Sequence, residues 1–322
     1  MEPLMGKLRV GVVGVGYLGK FHAQKYHHMP DVELVGVVDT DTDQGKKIAD
    51  DNCTVYYQDH QSLFGKVDAV SIAAPTPFHF SIAKDFLNQD VDVLIEKPIT
   101  SVLEDADELI QIAESKRLII QVGHLERFNP AVIELEGKID HPRFIESHRL
   151  SIFQGRCTDV SVVLDLMIHD IDLILNLVRS EIKNVNAAGI SVISGNIDIA
   201  NARLEFVNGA VANVTASRIS AKNERKLRLF QKDAYISIDF ANHKITLVHP
   251  DSSKTGGIIP GMTIEELNFD KGDALDDELK SFVQSVQLRR PPLVTGQMGR
   301  DALKTALTIM AQIQETSQHL VC

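Results

Sequence analysis

The apolar positions of the first 123 residues fall into short runs separated by stretches with helical spacing. Residues 8–13 make a compact β run, residues 32–38 are β-branched and end at Asp39, and residues 69–73 and 91–95 are apolar almost throughout. Residues 118–122 close the series. Between these runs, residues 18–28, 43–51 and 78–87 read as helices, the last by the spacing of Phe78, Ile82 and Phe86. A further helix carries Leu109, Ile112 and Ala113 on one face. Its start reads as a capping box, with Ser101 satisfying an early N–H and Glu104 reaching back. Strands separated by helices of this length predict right-handed βαβ units and a parallel sheet.

After Gly123 the texture changes. Residues 129–135 and 160–178 read as helices, and β runs follow at 185–193, 200–206, 210–219, 226–230, 234–238 and 244–248. Asn208-Gly209 is a hairpin turn signal. Residues 251–272 read as a long loop, and residues 273–287 and 297–317 as two closing helices. The expected fold class is α/β: an N-terminal Rossmann parallel sheet (residues 1–123) and a C-terminal α+β domain (residues 124–322) with a large, mainly antiparallel open sheet.

Composition narrows the class without changing the architecture. A chain of 322 residues suits two domains, and 44% hydrophobic with 24% charged residues is ordinary for a globular protein. No apolar run approaches the ~18 residues of a membrane span. The first seven residues are too short and too acidic for a signal peptide. Cys53, Cys157 and Cys322 are far apart, which predicts a reducing compartment with neither a disulfide framework nor a zinc knuckle. A net charge of -11 argues against a nucleic-acid partner, though not against a phosphorylated small molecule.

Three motifs carry the chemistry. The first is Gly14-Val15-Gly16-Tyr17-Leu18-Gly19, placed after the first strand and opening a helix. Gly14 permits the tight turn, Gly16 lets the backbone approach a pyrophosphate, and Gly19 lets helix and strand pack closely. Asp39 lies where a carboxylate can accept both ribose hydroxyls, and it would repel a 2′-phosphate, which favours NAD over NADP. The second motif is Glu96-Lys97-Pro98, whose strand delivers its last residues to the carboxyl edge of the sheet. The neighbouring segment with Ala74, Pro75, Thr76 and His79 ends a strand at the same edge and suits the nicotinamide ribose. Tyr17, Leu18, Glu96 and Lys97 complete the expected cofactor contacts. A lysine there can hydrogen-bond a hydroxyl and stabilise a developing alkoxide; the bland alternative is a lysine snorkelling at a strand end.

The third motif pairs Asp165 with His169, one helical turn apart, so that a carboxylate can orient an imidazole for proton transfer. No third ligand appears at a persuasive spacing, so no metal is expected. Arg127, Asn129 and Arg156 lie at segment ends, where they would meet substrate together with Lys97, Asp165 and His169. Arg218, Lys222 and Arg225 form a basic cluster read first as solvated surface charge.

These residues resemble the glucose–fructose oxidoreductase / inositol dehydrogenase / MocA-like (Gfo/Idh/MocA) family over nearly the whole chain. Glu96-Lys97-Pro98 on the fifth strand is the more specific part, and Asp165-x-x-x-His169 is a further point in the expected order. The resemblance implies NAD as cofactor, Lys97, Asp165 and His169 as the chemical residues, and a cis bond between Lys97 and Pro98. It also implies a cytoplasmic homodimer or homotetramer assembled through the open sheet of the second domain. The stretch from Gly123 to Pro130 and residues 159–175 resemble the branch acting at C3 of UDP-linked N-acetylated hexosamines, in particular UDP-N-acetylglucosamine. In that branch the keto sugar passes to an aminotransferase in amino sugar biosynthesis for lipopolysaccharide. Two other readings stay open: oxidation of a free polyol or aldose, and a non-catalytic NAD(H)-binding regulator.

Overall fold

The computed structural model describes residues 6–135, 137–153, 155, 160–251, 253, 260–269 and 272–318. In chain order the first elements are β1 (Leu8–Val13), α1 (Gly19–His28), β2 (Val32–Val38), α2 (Thr42–Asp51), β3 (Val55–Tyr57) and β4 (Ala69–Ile72). They continue with α3 (His79–Asn88), β5 (Asp92–Glu96), α4 (Leu103–Lys116) and β6 (Ile120–Gly123). Next come α5 (Pro130–Glu134), β7 (Phe144–Leu150), α6 (Ile168–Val178), β8 (Ile182–Ile190), β9 (Ile199–Phe206) and β10 (Val211–Ser217). The chain ends with β11 (Glu224–Gln231), β12 (Ala234–Asp239), β13 (Lys244–Pro250), β14 (Met262–Asn268), α7 (Ala274–Leu288) and α8 (Gly296–Gln318).

Contacts divide the chain into two units. The first takes Met1–Phe128 and Asp273–Leu303, and the second takes Asn129–Gly272 and Lys304–Cys322. The two consecutive domains expected from the sequence, divided after Gly123, therefore differ from this grouping mainly at the C-terminal end. The reason is in the core: Leu279, Phe282, Val283 and Val286 of α7 pack into one cluster with Leu8, Val10, Val12 and Tyr26. An amphipathic helix joins whichever core buries its apolar face, whatever its position in the chain.

The sheet of the first unit is parallel, in the order β3-β2-β1-β4-β5-β6. The order reverses direction at β1, and the turns after β1, β4 and β5 share the carboxyl edge, where open α/β sheets bind ligands. Every residue of β4 and β5 is buried, as strands covered by helices on both faces require. The capping box expected at Ser101 does not form. The N-cap of α4 is the extended Val102, with no side-chain cap, and Thr100 Oγ1 donates to the Val102 carbonyl at 2.7 Å. Glu104 and Asp105 instead place negative charge in the first turn, against the positive end of the helix dipole.

The second unit holds an eight-stranded sheet in the order β14-β13-β12-β11-β7-β10-β9-β8. Its pairs are antiparallel except β7 with β10. The Asn208-Gly209 signal forms the turn joining β9 to β10, with Gly209 at φ +84° and Asn208 Oδ1 accepting from the Ala210 N–H at 3.0 Å. Two of its strands depart from the sequence reading. β7 sits centrally in the sheet yet carries Glu146, His148 and Arg149, and β14 occupies part of the stretch read as a loop. Among the described residues no helix is long and apolar enough to cross a membrane.

Candidate active site

The glycine turn after β1 is held by close packing. Gly14 sits at φ +84°, and a Cβ there would lie 2.6 Å from the Ala74 nitrogen. A Cβ on Gly19 would lie 1.8 Å from the Gly14 carbonyl oxygen. At Gly16 a Cβ would meet nothing within 4 Å. The turn is thus tight where helix and strands meet and open at its middle glycine, the position at which the backbone must approach a pyrophosphate. Among the described residues no side chain caps the N-terminus of α1, and no acidic residue lies in its first turn, so that helix end is suited to phosphate. These residues fit a dinucleotide. Asp39 is braced rather than loose: one carboxylate oxygen accepts the Val15 N–H at 2.8 Å and the other accepts the Asp41 N–H at 2.9 Å. Gln44 donates to the Val15 carbonyl at 3.1 Å. Tyr17 is largely exposed, edge-to-face with Phe21, and Lys20 lies over both rings. Leu18 beside it is also exposed.

The adjacent turn after β4 carries Ala74, Pro75 and Thr76, the last opening a single 3-10 turn. His79 is buried, its Nδ1 2.9 Å from the Pro98 carbonyl and its Nε2 2.7 Å from that of Ala74. Burial pulls its pKa down against both carbonyls, so the neutral ring donates to one of them at a time. His79, expected to touch cofactor, stitches the Ala74 turn to Pro98. The Lys97–Pro98 bond is cis, and Lys97 is partly exposed at the end of β5.

Glu96 was also read as a cofactor contact, but its side chain turns inward. It is 9% exposed and pairs with His22 Nε2 at 3.1 Å. Burial pushes the carboxyl pKa up, but the His22 hydrogen bond and the positive charge around it, Lys97 included, outweigh burial and hold it below the usual range. His22, on the buried face of α1, was not foreseen. Its signal was a histidine among the apolar positions Ala23 and Tyr26 of an amphipathic helix.

Arg127, expected at the substrate, is buried within the first unit, its Nη2 3.3 Å from Met298 Sδ. Asn129 Oδ1 accepts the Ala131 N–H at 3.0 Å and caps α5. Arg156 lies outside the described residues. In the second unit Asp165 belongs to a π turn over Val163–Met167, and His169 follows at the start of α6. The single α-helical face assumed from the i, i+4 spacing is therefore replaced by a wider turn of the kind that recurs at functional sites. Asp165 and His169 are both partly exposed. Behind them Asp170 is buried and takes a bidentate pair from Arg149, at 2.7 Å from Nε and 3.1 Å from Nη2. Arg218 is buried as well, donating to the Val160 carbonyl, and Lys222 pairs with Glu224. The basic cluster is therefore partly internal. Among the described residues no group of three or more His, Cys, Asp or Glu is placed to hold a metal ion.

Residues 8–124 match the oxidoreductase family with an NAD-binding Rossmann fold, and residues 131–237 match the GFO/IDH/MocA C-terminal domain. The UDP-N-acetylglucosamine 3-dehydrogenase of Acidithiobacillus ferrooxidans is 37% identical over 308 residues, which cover 95% of this chain and 97% of that protein. A solved structure of that enzyme superposes with a TM-score of 0.92 over 97% of this chain and 99% of that one. The myo-inositol 2-dehydrogenase of Thermotoga maritima is 23% identical over 327 residues, covering 96% of this chain and 97% of that protein. The glycine turn, the NAD-favouring Asp39 and the Lys97 strand end thus sit in a chain matched along most of its length, and the protein is a member of the Gfo/Idh/MocA family of NAD-binding oxidoreductases.

Proposed function

We propose that this protein oxidises the C3 hydroxyl of UDP-N-acetylglucosamine to the 3-keto sugar nucleotide. The observation that carries the reading is near full-length similarity, at 37% identity, to an enzyme of that activity. Lys97 at the carboxyl edge of the parallel sheet supports it. NAD, when bound, supplies the hydride acceptor. The residues of the glycine turn bind the diphosphate through backbone N–H groups, and Asp39 receives the ribose hydroxyls. The Lys97 ammonium donates to the substrate oxygen and stabilises its negative character as the hydroxyl proton leaves. Asp165 orients His169, and that imidazole accepts the hydroxyl proton. Gly14, Gly16, Tyr17, Leu18, Gly19, Ala74, Pro75, Thr76, His79, Glu96 and Lys97 belong to the cofactor side; Arg127, Asn129 and Arg156 belong to the substrate side. The protein is proposed to act in the cytoplasm as a homo-oligomer, with an aminotransferase consuming the ketone.

The test is NADH absorbance on mixing the protein with UDP-N-acetylglucosamine and NAD, coupled to a glutamate-dependent 3-aminotransferase that draws off the ketone. NADH together with a 3-amino product supports the reading. Oxidation of a free inositol or aldose in its place, with no need for the diphosphate, overturns it.

A further inference from the structure

The segment of residues 160–170, which carries Asp165 and His169, is gripped at both ends by buried arginines of the second unit's sheet. Its π turn packs on β10, and α6 packs on β7 and β10. These two strands run parallel, with Arg149 opposite Ala216 and Leu150 opposite Ser217. Arg149 and Arg218 therefore lie at the carboxyl ends of neighbouring strands, and they are 4% and 5% exposed. Arg149 meets Asp170, the residue after His169, through Nε at 2.7 Å and Nη2 at 3.1 Å. Arg218 Nη2 donates to the carbonyl of Val160 at the other end of the segment.

Further bonds fix the entry to the π turn. The Val162 N–H donates to the Ile197 carbonyl at 2.9 Å, and the Ser161 carbonyl accepts from the Leu164 and Asp165 N–H groups at 3.1 and 3.0 Å. Ile197 ends a loop built round Asp198, which is 0% exposed. That carboxylate accepts from the N–H groups of Val192, Ile193 and Ser194 at 2.8, 2.7 and 2.9 Å, and from Ser194 Oγ at 2.6 Å. It lies 4.0 Å from Arg218 Nε, and the Arg218 N–H donates to the Asp198 carbonyl at 3.0 Å. A π turn is a rare geometry, found mostly as a single-turn bulge. Burying a guanidinium is costly, and apolar side chains of like volume often serve stability as well or better. Two buried guanidinium groups at the two ends of one such turn therefore point to geometry rather than to stability.

We propose that Arg149 and Arg218 are positioning residues, which together hold the π turn in step with α6 so that Asp165 and His169 keep one relative orientation. The inference rests on the roles proposed above for Asp165 and His169. Arg149 acts through Asp170 and Arg218 through the Val160 carbonyl, each at one end of the turn. A bidentate fork fixes direction as well as distance, and a displacement of about 1 Å at a reacting group can cost about 10²-fold in rate.

NMR of histidine-labelled protein tests the geometry without any turnover, the His169 imidazole signal being identified by its loss in His169→Gln. One narrow signal is expected in the wild type. Arg149→Lys, which loses the fork, and Arg218→Met, which loses the donor to Val160, are expected to broaden or split it. Arg218→Lys keeps a donor and should stay close to the wild type. In turnover, Arg149→Lys and Arg218→Met are expected to lower kcat by about 10–100-fold, with KM for sugar and NAD within about twofold. A role in stability alone would lower Tm and leave the His169 signal and kcat unchanged, and that result overturns the inference. More than one His169 signal in the wild type overturns it too. Where a single variant does not fold, Arg149→Met/Asp170→Leu takes its place, and wild-type kcat in that folded double variant overturns the inference. If the variants disturb the His169 signal but the wild type oxidises no UDP-sugar, the positioning stands and the substrate reading fails.

Discussion

Each unit keeps a proposed reactive residue next to a buried carboxylate, and the two carboxylates are managed differently. In the second unit Asp170, adjacent to His169, receives both arms of the Arg149 guanidinium, and both side chains are almost fully buried. There an anion meets a cation through two hydrogen bonds. In the first unit Glu96, adjacent to Lys97, leans on a histidine, and a second carboxyl, Glu278, is buried with no hydrogen-bond partner for its side-chain oxygens among the described residues. The first arrangement fixes geometry, because a bidentate fork tolerates little rotation. The second leaves the charge state to be decided by relative solvation. Rigid support suits an imidazole that must be aimed.

Changes on either side should separate these roles, and the largest effect is expected at the lysine itself. Lys97→Ala should lower kcat by about 10²–10⁴-fold while NAD affinity, measured by fluorescence titration, changes little. Undiminished turnover would remove Lys97 from the chemistry. Next is the Arg149–Asp170 pair: Arg149→Met leaves Asp170 buried without its cation and should cost about 3–5 kcal/mol in denaturant unfolding. The double variant Arg149→Met/Asp170→Leu should recover most of that loss, since two apolar groups can replace a buried pair. A double variant as unstable as the single one would show that the pair is not an isolated unit.

A smaller effect is expected at the cofactor turn. Gly19→Ala would force a Cβ towards the Gly14 carbonyl and should weaken NAD binding by about tenfold, or roughly 1.4 kcal/mol, measured by calorimetry. The smallest is the unmatched carboxyl. Because the Glu278 pKa is raised in the folded state, the folded chain holds a proton that the unfolded chain releases above its ordinary value of 4.5. Stability from this group is complete below pH 4.5 and is lost as pH climbs from there through the folded value. Glu278→Gln removes that loss, so its Tm should exceed that of the wild type by roughly 2–4 °C at pH 8 and converge with it near pH 4. A constant difference across that range would mean that Glu278 does not titrate with folding.

Much of the first unit was legible because its signals are local. Strands buried on both faces read as apolar runs, the first and last glycines of the turn sit where a Cβ would clash, and the lysine follows the strand that presents it. The second unit was less legible where burial is achieved by pairing. β7 was not foreseen because Arg149 occupies an inward-facing position and reads as polar, while its partner Asp170 lies 21 residues away. β14 was hidden because an edge strand with no buried residue lacks the alternation of a half-buried strand and carries Glu265 and Glu266. Ser101 met the capping rule in type and spacing, but the chain enters α4 one residue later.

The order of hydrophobic and polar residues, with its glycines, by itself determined the parallel sheet, the dinucleotide turn, the preference for NAD and the place of Lys97 at a strand end. These follow from periodicities and sterics acting over a few residues. Only the tertiary structure decided that α7 belongs to the first core, that Asp165 sits in a π turn, that His79 serves the main chain, and that Glu96 faces His22 while Glu278 is buried. Those outcomes depend on which distant residues share a buried volume, and solvation there is settled by partners that no local pattern specifies.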